Sequence, residues 1–233
     1  HGQLRSGIVD SSYLNYFASG KSPQIMRNIA GHRLEWQPNE KWNISISELV
    51  IYANRSLDMA YLLPFIPFFP LQNYLNDTDN IVMSADVHYF YQNNIRIYGA
   101  FLMDEWSPPY TFEKDNHNWF GWQTGFEWID AFLPKSRLRM EYTWTDHRIY
   151  RHRFAVNDVY SWSVPVGFWA GPHAQELYAD YSFNIGVNYF EIMFSNAKRG
   201  ILTDSLLTDQ YSRPNDNPIY ERFSEGTEEK QVL

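Results

Sequence analysis

Apolar side chains recur at every second residue through long stretches of this chain, a period that builds strands rather than helices. Ile81, Met83, Ala85, Val87, Tyr89 and Tyr91 fall on odd positions, with Ser84, Asp86 and His88 between them. Ile95, Ile97, Gly99, Phe101 and Met103 alternate with Arg96, Tyr98 and Asp104. Phe120, Trp122, Thr124, Phe126 and Trp128 oppose Gln123, Gly125 and Glu127. Leu138, Met140, Tyr142 and Trp144 oppose Arg137, Arg139, Glu141, Thr143 and Thr145. A further pair spans 176–183 and 187–195, and two earlier strands end near Trp36 and begin near Trp42. These make about eight strands, each near the roughly 9–11 residues that a tilted membrane-crossing strand needs.

The connections alternate as strictly as the side chains. Segments 37–41, 92–94, 133–136 and 184–186 are short, whereas 54–80, 107–118, 146–175 and the stretch after 196 are long. A β-sandwich has no reason to gather its long loops at one end. Outer-membrane barrels do, with tight turns on one side and long loops on the other. The predicted fold class is therefore all-β: an antiparallel transmembrane β-barrel of outer-membrane type, one unit over 1–233, with 196–233 as loop or tail. The tail is polar and brings no closing strand with a terminal aromatic, so an incomplete barrel is expected.

Composition agrees. Hydrophobic residues make up 44% and aromatics 18%, yet mean hydropathy is −0.48. A membrane barrel reconciles these values, because only alternate strand residues must be apolar. The longest apolar run, 60–70, is too short for a helical span and carries Pro64, Pro67 and Pro70. The absence of cysteine excludes disulfides and thiolate chemistry, and a net charge of −8 argues against nucleic acid as a partner. No signal-peptide pattern follows His1, so an exported chain would have shed its signal.

The polar face is charged: Arg33, Glu35, Asp86, Arg96, Asp104, Glu127, Arg137, Arg139 and Glu141 are expected to face the lumen. There, opposite charges on neighbouring strands can pair, or can line a path for a solute or sugar. Glu48 shares its face with Ile44, Ile46, Val50 and Tyr52. Such a carboxyl is either a general acid with a raised pKa or a residue turned inward by a bulge. Asp104, Glu105 and Glu127 are candidates for a glycosidase pair, though spacing along the chain singles out no two of them. His147, Arg148, Arg151, His152 and Arg153 form the one concentrated basic run. Arginine forks there suit carboxylate or phosphate, and the alternative is a solvated strand end. Trp106, Tyr110, Trp119, Trp162, Phe168 and Trp169 lie in or beside long loops, either stacking on sugar rings or packing the loops. Trp36 and Trp42, Tyr89 and Tyr91, and Trp128 and Phe132 sit near short turns, as an interfacial girdle would. No metal or cofactor site is expected: the seven histidines are scattered, and Asp77 and Asp79 lack the rest of a calcium loop.

Several segments resemble the capsule-assembly, Wzi-like family of outer-membrane proteins: HRLEW at 32–36, ISELVIY at 46–52, RSLDMAY at 55–61 with the Pro-rich run to 70, NYLNDTDN at 73–80 and GPHAQEL at 171–177. The resemblance spans roughly 29–181. It implies a monomeric barrel of about eighteen strands that organises surface polysaccharide as a lectin rather than an enzyme, among outer-membrane lipid and lipopolysaccharide. This chain departs from that pattern in supplying about half those strands. Two other functions stay open. One is a channel or transporter, against which the apolar loop 59–80, folding inward as a plug, would count. The other is a soluble β-rich carbohydrate enzyme with two converging carboxylates.

Overall fold

A computed structural model of the chain describes residues 2–4, 26–53, 56–63, 65–74, 78–106, 118–152, 154–161, 164–200 and 228–232. Eight long strands dominate: β2 (Arg27–Asn39), β3 (Trp42–Ala53), β4 (Asn80–Tyr91), β5 (Ile95–Glu105), β6 (Trp119–Ile129), β7 (Arg137–Thr145), β10 (Ala174–Ile185) and β11 (Asn188–Gly200). With short β1 (Gly2–Leu4) and β12 (Glu228–Val232) they form one sheet in chain order; β8 (Tyr160–Ser161) and β9 (Val164–Pro165) pair separately. Every pairing with a defined register is antiparallel, as short turns between consecutive strands require. The order is linear, and among the described residues no pairing joins β1 to β12. No described helix is long and apolar enough to cross a membrane. β11 runs on to Gly200 and pairs there with Glu228–Val232, so parts of 196–233 are strand where loop or tail is expected.

Contacts divide the chain into two compact units. The larger comprises 34–46, 84–149 and 172–233. Its strands carry the predicted two-sidedness in register. Ile97 lies opposite Phe126, Phe126 opposite Met140, Met140 opposite Ala179, and Ala179 opposite Phe194. One residue along, on the other face, Arg96 lies opposite Glu127, Glu127 opposite Arg139, and Arg139 opposite Asp180. The apolar side is bare: Ile97, Phe101, Trp122, Met140, Leu177 and Phe194 are all exposed. At the short turn after β4, Gln92 and Asn93 both adopt positive φ, which matches the twist of the flanking strands; Gly186 does the same between β10 and β11. Trp36, Trp42, Tyr91 and Phe132 are exposed beside these short turns, Trp42 packing on Tyr89 and Phe132 on Trp128.

The smaller unit comprises 1–33, 47–83 and 150–171. Its core joins Ala30, Val50, Tyr52 and Ile81 of the strands to Tyr61 and Phe68 of the long connection. That connection holds a 3-10 turn (Met59–Leu62) and a short helix (Phe68–Tyr74), helical structure that the period-two pattern does not anticipate. Met83, on the apolar parity of β4, packs against this core. The two long connections cover different faces of these strands. Phe68 and Tyr61 cover the face of β3 that carries Val50 and Tyr52, and the face of β2 that carries Ala30. Arg27 and Asn80 point to the opposite faces of their strands, three residues from Ala30 and one from Ile81. They are taken up by the other loop, 150–161: Arg27 donates to the carbonyls of Tyr160 and Asp158, and Asn80 to that of Asn157. The polar loop thus lies on the polar side and the apolar loop on the apolar side. Burial imposes that sorting, because each buried polar group needs a partner.

Candidate functional site

In the larger unit the charged face is a continuous ladder. The Arg96 and Glu127 side chains meet at 3.4 Å, and Arg139 approaches Glu141 at 3.8 Å. Asp180, whose side chain is 0% exposed, takes one hydrogen bond of 2.7 Å from Arg137 and another of 2.7 Å from Arg139. A buried carboxylate needs such partners, since unpaired burial of a charge costs several kcal/mol or drives protonation. Arg96 stacks over Tyr98 at 4.9 Å and Arg139 over Tyr178 at 4.8 Å, adding cation–π attraction. Tyr98 reaches across β6 to donate to Glu141 at 2.6 Å. It passes over Gly125, which lies between Tyr98 and Glu141 in the register. A Cβ at that glycine would sit 2.8 Å from the tyrosine ring and 2.7 Å from the Met140 carbonyl, so only glycine admits the crossing. Further along, Ser195 donates to Glu176, and Ser45 to Asp86, which also meets His88 at 3.2 Å.

Each of these carboxylates holds a donor, which suits binding and structural roles better than proton transfer. The side chains of Arg96, Arg137 and Arg139 stay about one-third exposed, so part of the charged face remains open to a solute. Of the predicted lumen set, Arg96, Glu127, Arg137, Arg139 and Glu141 join the ladder. Asp86 lies apart on Ser45, Arg33 bonds Ser47 at 3.5 Å, Glu35 is exposed and Asp104 is buried. The alternation in sequence places Tyr98 on the polar face without its role, and it misses Asp180. Asp180 lies across from Arg139 in the register, so parity was the available signal.

The basic run is built differently from an exposed cationic patch. Arg148 is 5% exposed and clasps Asp146 through Nε and Nη2, each at 3.0 Å, beneath which lies buried Trp119 at 5.8 Å from the guanidinium. Asp146 also accepts the Arg148 backbone N–H, while His147 stacks edge-on to buried His173. In the smaller unit Arg151 pairs with Asp158 at 3.1 Å, and the backbone N–H of buried His152 donates to the same carboxylate. Burial pushes the Asp158 carboxyl up to about 6, against the pull of Arg151 and that N–H. The arginines are therefore held by carboxylates two and seven residues away, and local folding uses the charge that an exposed site would need.

Glu48 is likewise engaged. Its carboxylate accepts the Phe68 backbone N–H at 2.7 Å and meets His32 Nε2 at 3.0 Å, on the same face as Val50 and Tyr52. It anchors the apolar loop, so its place among apolar neighbours requires neither acid catalysis nor an inward turn. Among the aromatic candidates, Trp106 is exposed and Trp169 is half exposed, whereas Trp119 is buried. Tyr110, Arg153, Trp162 and Asp77 lie outside the described residues. Among those described, no three His, Cys, Asp or Glu side chains gather as a metal site would require. Comparison with protein-family models, with curated proteins and with solved structures returned no match to this chain.

Proposed function

We propose that this chain forms the wall of an outer-membrane β-barrel that binds surface polysaccharide without catalysing its turnover. One observation carries the membrane assignment: a bare apolar face and a paired, charged face alternate in register across β5, β6, β7 and β10. In water this arrangement would be inverted, with apolar rows exposed and Asp180 buried. In lipid it is the low-energy one. The polysaccharide rests on the resemblance to the capsule-assembly family and on the exposed rings of Trp106 and Trp169, flat apolar faces of the kind that stack on sugars.

Fractionation with the outer membrane, together with loss of capsule retention when Trp106 and Trp169 are both replaced by Ala, is the expected outcome. Recovery in the aqueous fraction would overturn the barrel, and unchanged retention would remove the two rings from the site. A channel is the second reading, favoured by the partly exposed arginine side chains of the ladder. Large, stable single-channel currents in planar bilayers would promote it.

A further inference from the structure

The long connection 56–74 presents two unlike sides. Towards the sheet it is tied down at several points. Asp58 takes the Ala60 N–H and gives its own N–H to the Tyr52 hydroxyl, Tyr61 donates to Asp79 at 2.6 Å, and Glu48 holds the Phe68 N–H. Tyr61 and Phe68 fill the core beneath. Away from the sheet, Met59, Leu62, Leu63, Ile66 and Phe69 are exposed, and Phe65 is 94% exposed. No charged residue occurs anywhere from Met59 to Tyr74. A loop built for water would not hold its apolar side outward on so firm a base.

We infer that 57–69 is an interfacial anchor, an apolar knob seated at the boundary between lipid headgroups and acyl chains. Three observations favour lipid over a protein partner. The face of β2 that the segment covers, the even one of Ala30 and His32, is the face that also carries Leu34 and Trp36, both exposed. The opposite, polar faces of β2 and β4 are occupied by 150–161. And the segment itself carries no charged residue from Met59 to Tyr74, whereas the rim of a protein interface is polar. Depth follows from the backbone. An irregular segment cannot lie in the hydrocarbon centre, where unpaired N–H and C=O groups go unsatisfied, but it is at home in the boundary layer. Pro64, Pro67 and Pro70 reduce the number of such donors. The inference rests on the barrel reading and adds to it a loop that grips the outer surface of the bilayer.

The chain has no cysteine, so single-site labelling is direct. Phe65→Cys carrying a nitroxide, in protein reconstituted into phosphatidylcholine vesicles, is compared with Met140→Cys on the strand face and Val187→Cys in a fully exposed turn. Position 65 should lose access to a water-soluble relaxant relative to 187 and should report a shallower depth than 140; Phe69→Cys should report the same. Position 65 as water-accessible as 187, with 140 in lipid, overturns the anchor and leaves the barrel standing. Positions 65 and 140 both in water overturn the barrel as well. A label at 65 shielded from water and lipid alike means that protein covers the knob and overturns the inference. So does a depth equal to that at 140. Each label replaces an exposed side chain, so the fold is expected to survive, and heat-dependent migration on gels checks that it does.

Discussion

The two compact units are held together by opposite means. In the larger one, strands are bound by regular ladders, and the stabilising side-chain contacts are charged and directly cross-strand: Arg96 to Glu127, Arg139 to Asp180. In the smaller one, an apolar cluster joins strand ends to a loop, and polar contacts bridge residues more than a hundred positions apart, as Arg27 to Tyr160 does. Regular strands satisfy their own backbone, so their side chains are free to specify the two faces. Irregular loops must satisfy theirs through side chains, which is why Glu48, Asp58 and Asp158 each serve a backbone N–H.

Truncating the apolar cluster should separate the units most sharply. Phe68→Ala is expected to cost about 3–5 kcal/mol locally. Amide hydrogen exchange should speed up in 27–33, 47–53 and 78–83 while β6 and β7 stay protected. Equal acceleration in β6 and β7 would show that the two regions open together. The converse substitution, Asp180→Ala, leaves Arg137 and Arg139 without their shared carboxylate. Because both arginines are partly wet, roughly 3 kcal/mol is expected, the low end for breaking a buried pair, and read as a lower denaturant midpoint with faster exchange in β7 and β10. A change confined to the loops would contradict the ladder's role.

Smaller effects sharpen the contrast. Glu48→Ala removes the acceptor for the Phe68 N–H and should cost about 1–2 kcal/mol. Protease cleavage near 63–66 should rise, with Glu48→Gln recovering much of the loss. The acid response of 150–161 follows from Asp158. Its folded carboxyl, near 6, holds a proton more tightly than an ordinary aspartate at 3.8. Between those two values protonation favours the folded loop. Its contribution is present below about pH 4 and is lost as pH rises through about 6. Protection of 150–161 should therefore weaken from pH 4 to pH 6.5, and Asp158→Asn should flatten the trend. A loop that tightens over that interval would mean the Arg151 pairing outweighs desolvation.

The same division explains what could be read in advance. From Ile81 to Ser195 the strands stand where alternation predicts them, and five of nine expected lumen charges meet in one ladder. Period two suffices there because each side chain's environment is decided by parity. It says nothing of where a loop goes. The Ala60–Pro70 run is apolar, but its composition does not say which strand face it covers; that emerges only from the contacts of Phe68 with Ala30, Val50 and Tyr52. Arg148 and Arg151 look like a cationic patch in sequence because the carboxylates that hold them, Asp146 and Asp158, lie in the same loop and become partners only once it turns.

Gly125 marks one register during the search by which β5 and β6 find each other. Alternation rejects a slip of one residue, because every side chain would change faces. It cannot detect a slip of two, which returns apolar to apolar and charge to charge. Tyr98 can. A two-residue slip brings Gln123 or Glu127 beneath its ring, where the glycine's missing Cβ had left the path to Glu141 open. The glycine thus acts as a notch that proofreads pairing at the one error hydrophobic pattern tolerates, and a side chain there should enlarge the population of misregistered, slowly folding chains.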